Sequence, residues 1–206
     1  MTREAVVLVV DDTAQVRVAL GDVLRSAGYL VELFGSAQAV LDRAMPEGPH
    51  CLVLDVHMPE VSGLDLQARL VEKRIGTPIV FITGHGDIPM SVHAMKAGAF
   101  EFLTKPFRDD QLLYAVERAI EQSAARQQDA ASLNRLQERY ARLTTRQREV
   151  MLLVTNGMLN KEVAVEMGIT EVMIKVHRRQ VMAKMLAGTL PDLVRMADRL
   201  GLRIKT

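Results

Sequence analysis

Four short apolar runs in the first half of the chain each hand over to a polar residue at their C-terminal end. Val6-Val7-Leu8-Val9-Val10 leads into Asp11-Asp12, and Cys51-Leu52-Val53-Leu54 leads into Asp55. Pro78-Ile79-Val80-Phe81-Ile82 leads into Thr83, and Phe100-Glu101-Phe102-Leu103-Thr104 leads into Lys105. Runs this short and apolar suit strands buried on both faces, and longer amphipathic stretches alternate with them. The expected strands are 6–10, 29–34, 50–54, 78–82 and 99–103, with helices near 14–27, 36–44, 62–74, 88–97 and 108–124. This alternation predicts an α/β domain over residues 1–121, a doubly wound (βα)5 parallel sheet with helices on both faces. Strand ends then share one edge, the edge where ligands bind in open sheets.

Three carboxylates, a hydroxyl and an ammonium gathered on one edge can hold Mg²⁺ and a phosphoryl group. Mg²⁺ takes near-octahedral oxygen ligands, commonly one or two carboxylates with waters and phosphate. Asp12 and Asp55 are the expected direct ligands, and Asp11 supplies charge or a water-mediated contact. A backbone carbonyl in the loop Val56-His57-Met58, assigned to His57, completes the protein's share. Asp55 is the carboxylate placed to attack phosphorus. Thr83 can donate its hydroxyl to a phosphoryl oxygen, and Lys105 brings a compact positive charge. The plainer account is that acidic residues end strands because their side chains bond nearby backbone. It explains Asp11 alone as well, but not polar ends recurring on successive strands. His57 and His85 flank the cluster without a partner at ligand spacing, so their rings are read as solvated.

The second half differs. Residues 1–121 carry 11 basic and 17 acidic residues, whereas 122–206 carry 15 and 8, giving −6 and +7 within a total of +1. A positive half attracts a polyanion. Residues 122–141 contain neither proline nor glycine and are expected to extend the preceding helix as a connector. Leu133, Leu136, Tyr140 and Leu143 could form an apolar seam there, out of phase with Leu113, Val116 and Ile120. From residue 142 to 206 only helices are readable, at 146–155, 161–167, 171–185 and 190–200. Two of them, separated by a short turn at Gly168, make a helix-turn-helix pattern. In the second of the pair, Val172, Val176 and Met182 are expected to face the core, with Lys175, Arg178 and Arg179 outside. Such a helix could enter the major groove of double-stranded DNA.

One cysteine, Cys51, within an expected buried strand, excludes an intrachain disulfide and fits a reducing cytoplasm. No apolar run reaches the roughly 20 residues a membrane span needs, and no secretory signal is in view, so no membrane role is expected.

Residues 1–121 resemble the receiver domain of two-component response regulators, through VLVVDD, LVLDVHMPEVSGLDL, PIVFITGHGDI and GAFEFLTKPF. The resemblance implies phosphorylation of Asp55 by a histidine kinase, with Asp11 and Asp12 organising Mg²⁺. It implies that Thr83 senses the acyl phosphate, that Lys105 contacts it and that Phe102 is the aromatic switch. A cis peptide between Lys105 and Pro106 is part of the same pattern. Thr13 stands where an acidic residue commonly follows the pair. Residues 142–204 resemble the DNA-binding domain of LuxR-type regulators, through LTTRQREVMLLV, GMLNKEVAVEMGIT and VHRRQVMAKM. Lys175, Val176 and Arg179 match groove-contacting positions, and the last helix matches one that dimerises on DNA. Thr145 and Gln147 replace the commoner Pro and Glu, which bears on capping of the first helix and on a supporting salt bridge. The combination resembles FixJ-like response regulators, and implies a phosphorylation-switched, dimeric DNA-binding regulator rather than an enzyme. By the same analogy it is an activator that engages RNA polymerase. Kinase, stimulus and operator stay open.

Overall fold

The computed structural model describes residues 5–84 and 88–202. His85 lies outside them. The chain forms two compact units, Met1–Gln127 and Gln128–Thr206.

In the first unit, strands β1 (Val6–Val10), β2 (Leu30–Phe34), β3 (His50–Asp55), β4 (Ile79–Thr83) and β5 (Glu101–Thr104) alternate with helices. The helices are α1 (Ala14–Ser26), α2 (Ala37–Leu41), α3 (Gly63–Glu72), α4 (Ile88–Lys96) and α5 (Asp109–Ala141). The sheet is parallel in the order β2-β1-β3-β4-β5. The chain steps outward from β1 to β2 and then crosses back to β3, so the topological switch point lies between β1 and β3. Pleating sends alternate residues to opposite faces. Val7, Val9, Cys51 and Val53 face one helical layer, while Leu8, Val10, Leu52 and Leu54 face the other. Each fully buried Leu or Val contributes about 1.5–3 kcal/mol relative to exposure, which explains why both faces read as continuously apolar. Burial also pushes the Cys51 thiol up, so it stays protonated as a small apolar filler.

The expected elements are present with shifted ends, β5 beginning at Glu101 rather than at 99. Helix α2 ends at Leu41 rather than near residue 44, with Asp42 as its C-cap. The stripe that α5 buries is Leu112, Ala115, Val116 and Ala119, with Leu113 and Ile120 only partly covered. Helix α5 runs through the glutamine- and arginine-rich stretch to Ala141, as its propensity suggested.

In the second unit, the last turns of α5 pack with α6 (Thr145–Thr155), α7 (Asn160–Met167), α8 (Glu171–Met185) and α9 (Leu190–Arg199). Leu136, Leu143, Val150, Met151, Ile174, Val181, Met185 and Leu193 form the core. Thr144 caps α6: its Oγ1 accepts from Gln147 N–H at 3.3 Å, and Gln147 Oε1 accepts from Thr144 N–H at 3.1 Å. Capping therefore survives the departures at Thr145 and Gln147. The missing salt bridge is replaced: buried Gln147 accepts from Lys184 Nζ at 2.8 Å and donates to Gln180 Oε1 at 2.9 Å.

Candidate functional site

Strand register brings the polar strand ends together. Val10 pairs with Leu54, Asp55 with Ile82 and Thr83 with Thr104. The residues immediately after β1 and β5 therefore reach the same edge as Asp55 and Thr83. One carboxylate oxygen from each of Asp11, Asp12 and Asp55 lies within 4.8 Å of the others. The three differ in environment. Asp11 is fully buried and satisfied, with Oδ1 accepting from Thr13 N–H at 2.8 Å and Oδ2 from Lys105 Nζ at 3.0 Å. Asp12 is exposed, its Oδ1 accepting from the Thr13 hydroxyl at 3.3 Å. Asp55 is 8% exposed, and among the described residues its Oδ1 is buried without a hydrogen-bond partner.

The loop after β3 holds Asp55 in place. Gly63 N–H donates to Val56 O at 2.9 Å, and an added Cβ on Gly63 would sit 2.3 Å from Asp55 O. Only glycine permits that approach. Ser62 then caps α3 in a reciprocal pair with Asp65. Burial raises the Asp55 carboxyl above the ordinary carboxylate range; Lys105, 3.8 Å from Oδ2, opposes this, and the Asp11 charge adds to it. Three clustered carboxylates with one nearby ammonium form the kind of acidic group that can hold a divalent cation.

Thr83 is fully buried, and its Oγ1 lies 3.2 Å from His57 Nδ1, so the exposed His57 ring is engaged by the cluster rather than only solvated. The Lys105–Pro106 peptide is cis, as the resemblance implied. Phe102 is half-buried on β5, its ring centroid 6.1 Å from that of Phe81 at a 43° tilt.

In the second unit, α7 and α8 flank the turn Gly168-Ile169-Thr170. Gly168 adopts φ +65°, a left-handed setting suited to glycine. Thr170 Oγ1 caps α8 by accepting from Met173 N–H at 3.3 Å. The inward face of α8 is Ile174, Val181 and Met185. Val172 and Val176, expected in the core, are 70% and 44% exposed. Lys175, Val176 and Arg179 thus share the open side. Arg178 behaves differently: half-buried, it donates from a guanidinium nitrogen to Asn160 Oδ1 at 3.0 Å and ties α8 to the start of α7.

Comparison with known proteins agrees with this geometry. Residues 7–117 match the family described as "Response regulator receiver domain", and residues 141–197 match "Bacterial regulatory proteins, luxR family". The chain is 47% identical to Nodulation protein W of Bradyrhizobium diazoefficiens, over 97% of this chain and 88% of that protein. It is 42% identical to the transcriptional regulatory protein FixJ of Rhizobium meliloti, over 92% and 93% of the two chains. The solved structure of the response regulator StyR superposes with a TM-score of 0.85 at 45% identity, covering 96% of this chain and all (100%) of that one. Members of this family are transcriptional regulators switched by phosphorylation from a histidine kinase and acting on DNA through the helix-turn-helix domain; they are not classed as enzymes. The chain belongs to the two-component response regulators that join a receiver domain to a LuxR-type helix-turn-helix domain.

Proposed function

We propose that Asp55 is the phosphoacceptor of this regulator and that phosphorylation there drives dimerisation on DNA. The observation that carries this is Asp55 itself: among the described residues its buried Oδ1 has no hydrogen-bond partner, its Oδ2 lies 3.8 Å from Lys105 Nζ, and two further carboxylates stand beside it. A carboxylate oxygen of Asp55 attacks the phosphorus of a kinase phosphohistidine. A P–O bond forms, the P–N bond breaks, and its electron pair returns to the imidazole with a proton. Asp12 and Asp55 would hold Mg²⁺, with Asp11 and the His57 backbone carbonyl contributing to the same site. When bound, that ion offsets repulsion between the carboxylates and the incoming phosphoryl group. Lys105 contacts the transferred group, and Thr83 turns its hydroxyl toward it. Phe102, only half-buried, follows the space Thr83 vacates.

Residues 1–121 act as the receiver, 122–141 as a helical connector and 142–206 as the DNA-binding part. Ile88, Val92 and Met95 on α4 and Tyr114 on α5 are exposed apolar or aromatic residues, and they support this face as the dimer surface. Two copies then present α8 to two half-sites, with α9 pairing on DNA. Lys175 and Arg179 contact bases or phosphates, Val176 supplies apolar contact, and Arg178 steadies the helix while lending charge. In the cytoplasm the bound dimer recruits RNA polymerase and activates transcription. Among the described residues no helix is long and apolar enough to cross a membrane.

The test compares wild type with Asp55→Asn, each with Mg²⁺ and acetyl phosphate, for oligomeric state and affinity for selected duplex DNA. Gains in both, confined to wild type, support the proposal; equal gains in both proteins overturn it.

A further inference from the structure

At the edge of the sheet opposite the acidic cluster, α5 changes how it holds the receiver unit. Its buried stripe Leu112, Ala115, Val116 and Ala119 continues, at the same helical spacing, as Ser123, Arg126 and Gln127. These three bond to backbone where β3 and β4 begin. Ser123 Oγ accepts from His50 N–H at 3.1 Å, Gln127 Nε2 donates to Gly48 O at 2.8 Å, and Arg126 donates to Gly76 O at 2.9 Å. Pleating explains the first bond. Leu52 N–H points toward β4 and donates to Pro78 O, so His50 N–H, two residues earlier, points the same way. The pairing of β3 with β4 begins only at Leu52 and Ile79, so a buried donor stands without a ladder partner, and Ser123 supplies one. The His50 ring braces the two loops, with Nδ1 2.8 Å from Gly48 O and Nε2 3.0 Å from Thr77 Oγ1. Since a carbonyl only accepts, the ring proton sits on Nδ1. Beyond Gln127 the helix belongs to the second unit.

We propose that Ser123, Arg126 and Gln127 form a clamp that fixes the rotational setting of α5 where it leaves the receiver unit, and that the phosphorylation-dependent gain in DNA affinity is transmitted through this clamp. The proposal rests on the switch reading above. None of the three residues is near the phosphoacceptor edge, so the clamp serves transmission and not phosphoryl transfer. Its loss leaves α5 continuous and helical but free to turn against the strand entries, which uncouples the receiver's state from the helix that carries the signal onward.

The experiment uses the full chain as wild type, as Arg126→Ala/Gln127→Ala and as Ser123→Ala. Acyl phosphate formation from acetyl phosphate and Mg²⁺ is measured beside affinity for a duplex selected from random sequence by the acetyl-phosphate-treated wild type. In the variants, acyl phosphate should form within about twofold of wild type, while the ratio of phosphorylated to unphosphorylated DNA affinity falls by at least about fivefold, the worth of one or two hydrogen bonds. Ser123→Thr, which keeps the acceptor oxygen, should restore the ratio. A fall in phosphorylation and DNA affinity together marks a merely structural role and overturns the proposal, as does an unchanged ratio. Should Ser123→Ala unfold, the double variant decides alone, because its side chains are exposed or half-exposed and alanine favours helix. A wild type with no phosphate-dependent gain contradicts the switch reading itself, whereas a wild-type gain that persists in the variants contradicts the clamp alone.

Discussion

Lys105 Nζ lies 3.0 Å from Asp11 Oδ2 and 3.8 Å from Asp55 Oδ2, so one ammonium serves two carboxylates, hydrogen-bonding the first and only ion-pairing with the second. Its stronger tie is to the buried Asp11, which leaves Asp55 the less neutralised of the two. A phosphoryl group on Asp55 offers Lys105 a better partner at small displacement.

Lys105→Met is therefore expected to keep the fold but to weaken the response. Acyl phosphate should still form, while the phosphate-dependent gain in dimerisation falls by roughly tenfold, in line with a lost charge-assisted bond of about 1.5–3 kcal/mol. Analytical ultracentrifugation with and without acetyl phosphate measures it. A full gain in the variant would remove Lys105 from the switch.

The raised Asp55 carboxyl makes stability depend on pH with a defined sign. Folding favours the protonated form, so the contribution is complete below the unfolded-state value of about 3.9 and is lost as pH rises through the higher folded-state value. Without Mg²⁺, Asp55→Asn should melt roughly 2–5 °C above wild type near pH 7, and the gap should close toward pH 4. Added Mg²⁺ should raise the wild-type midpoint more than the variant's. A variant less stable than wild type at every pH contradicts the assignment.

Gly63→Ala places a Cβ against Asp55 O, and that oxygen is backbone that cannot step aside. A loss of about 2–4 kcal/mol in urea unfolding of the first unit is expected, as for overpacked sites. Alanine tolerated within about 0.5 kcal/mol would show that the loop after β3 is not held as described.

On α8, Lys175→Ala and Arg179→Ala should each weaken DNA binding by about 1–3 kcal/mol and lower its salt dependence, with no change in unfolding. Arg178→Ala should also lower the stability of the second unit, because it removes the tie to Asn160. Titrations at several salt concentrations beside thermal melts separate the two behaviours. Equal effects of all three on melting would contradict the division of roles.

Much of the receiver was legible because a parallel sheet turns a one-dimensional pattern, apolar run then polar residue, into a shared edge. Asp11, Asp12, Asp55, Thr83 and Lys105 all follow that rule and end on one sheet edge, where the three carboxylates and Lys105 meet. The phase of α8 was not legible. Val172, Met173, Ile174, Val176, Val181, Met182 and Met185 spread apolar character around most of the helix, so periodicity alone does not select Ile174 over Val176 as the inward residue. Ser123 and Gln127 were hidden for another reason. Their partners are backbone groups of distant loops, and a polar residue bonded to backbone looks in sequence like any solvated one. Gln147 was read as a loss because the commoner glutamate was missing, yet an amide both accepts from Lys184 and donates to Gln180.

The central claim is that Asp55 alone accepts the phosphoryl group, and borohydride trapping tests it most directly. Borohydride reduces an acyl phosphate to the alcohol, converting a phosphorylated aspartate to homoserine that peptide mass spectrometry locates. After treatment with acetyl phosphate and Mg²⁺, homoserine should appear at position 55 and nowhere else in the wild-type chain. Homoserine at position 11 or 12, or none at all under conditions that induce dimerisation, would contradict the account.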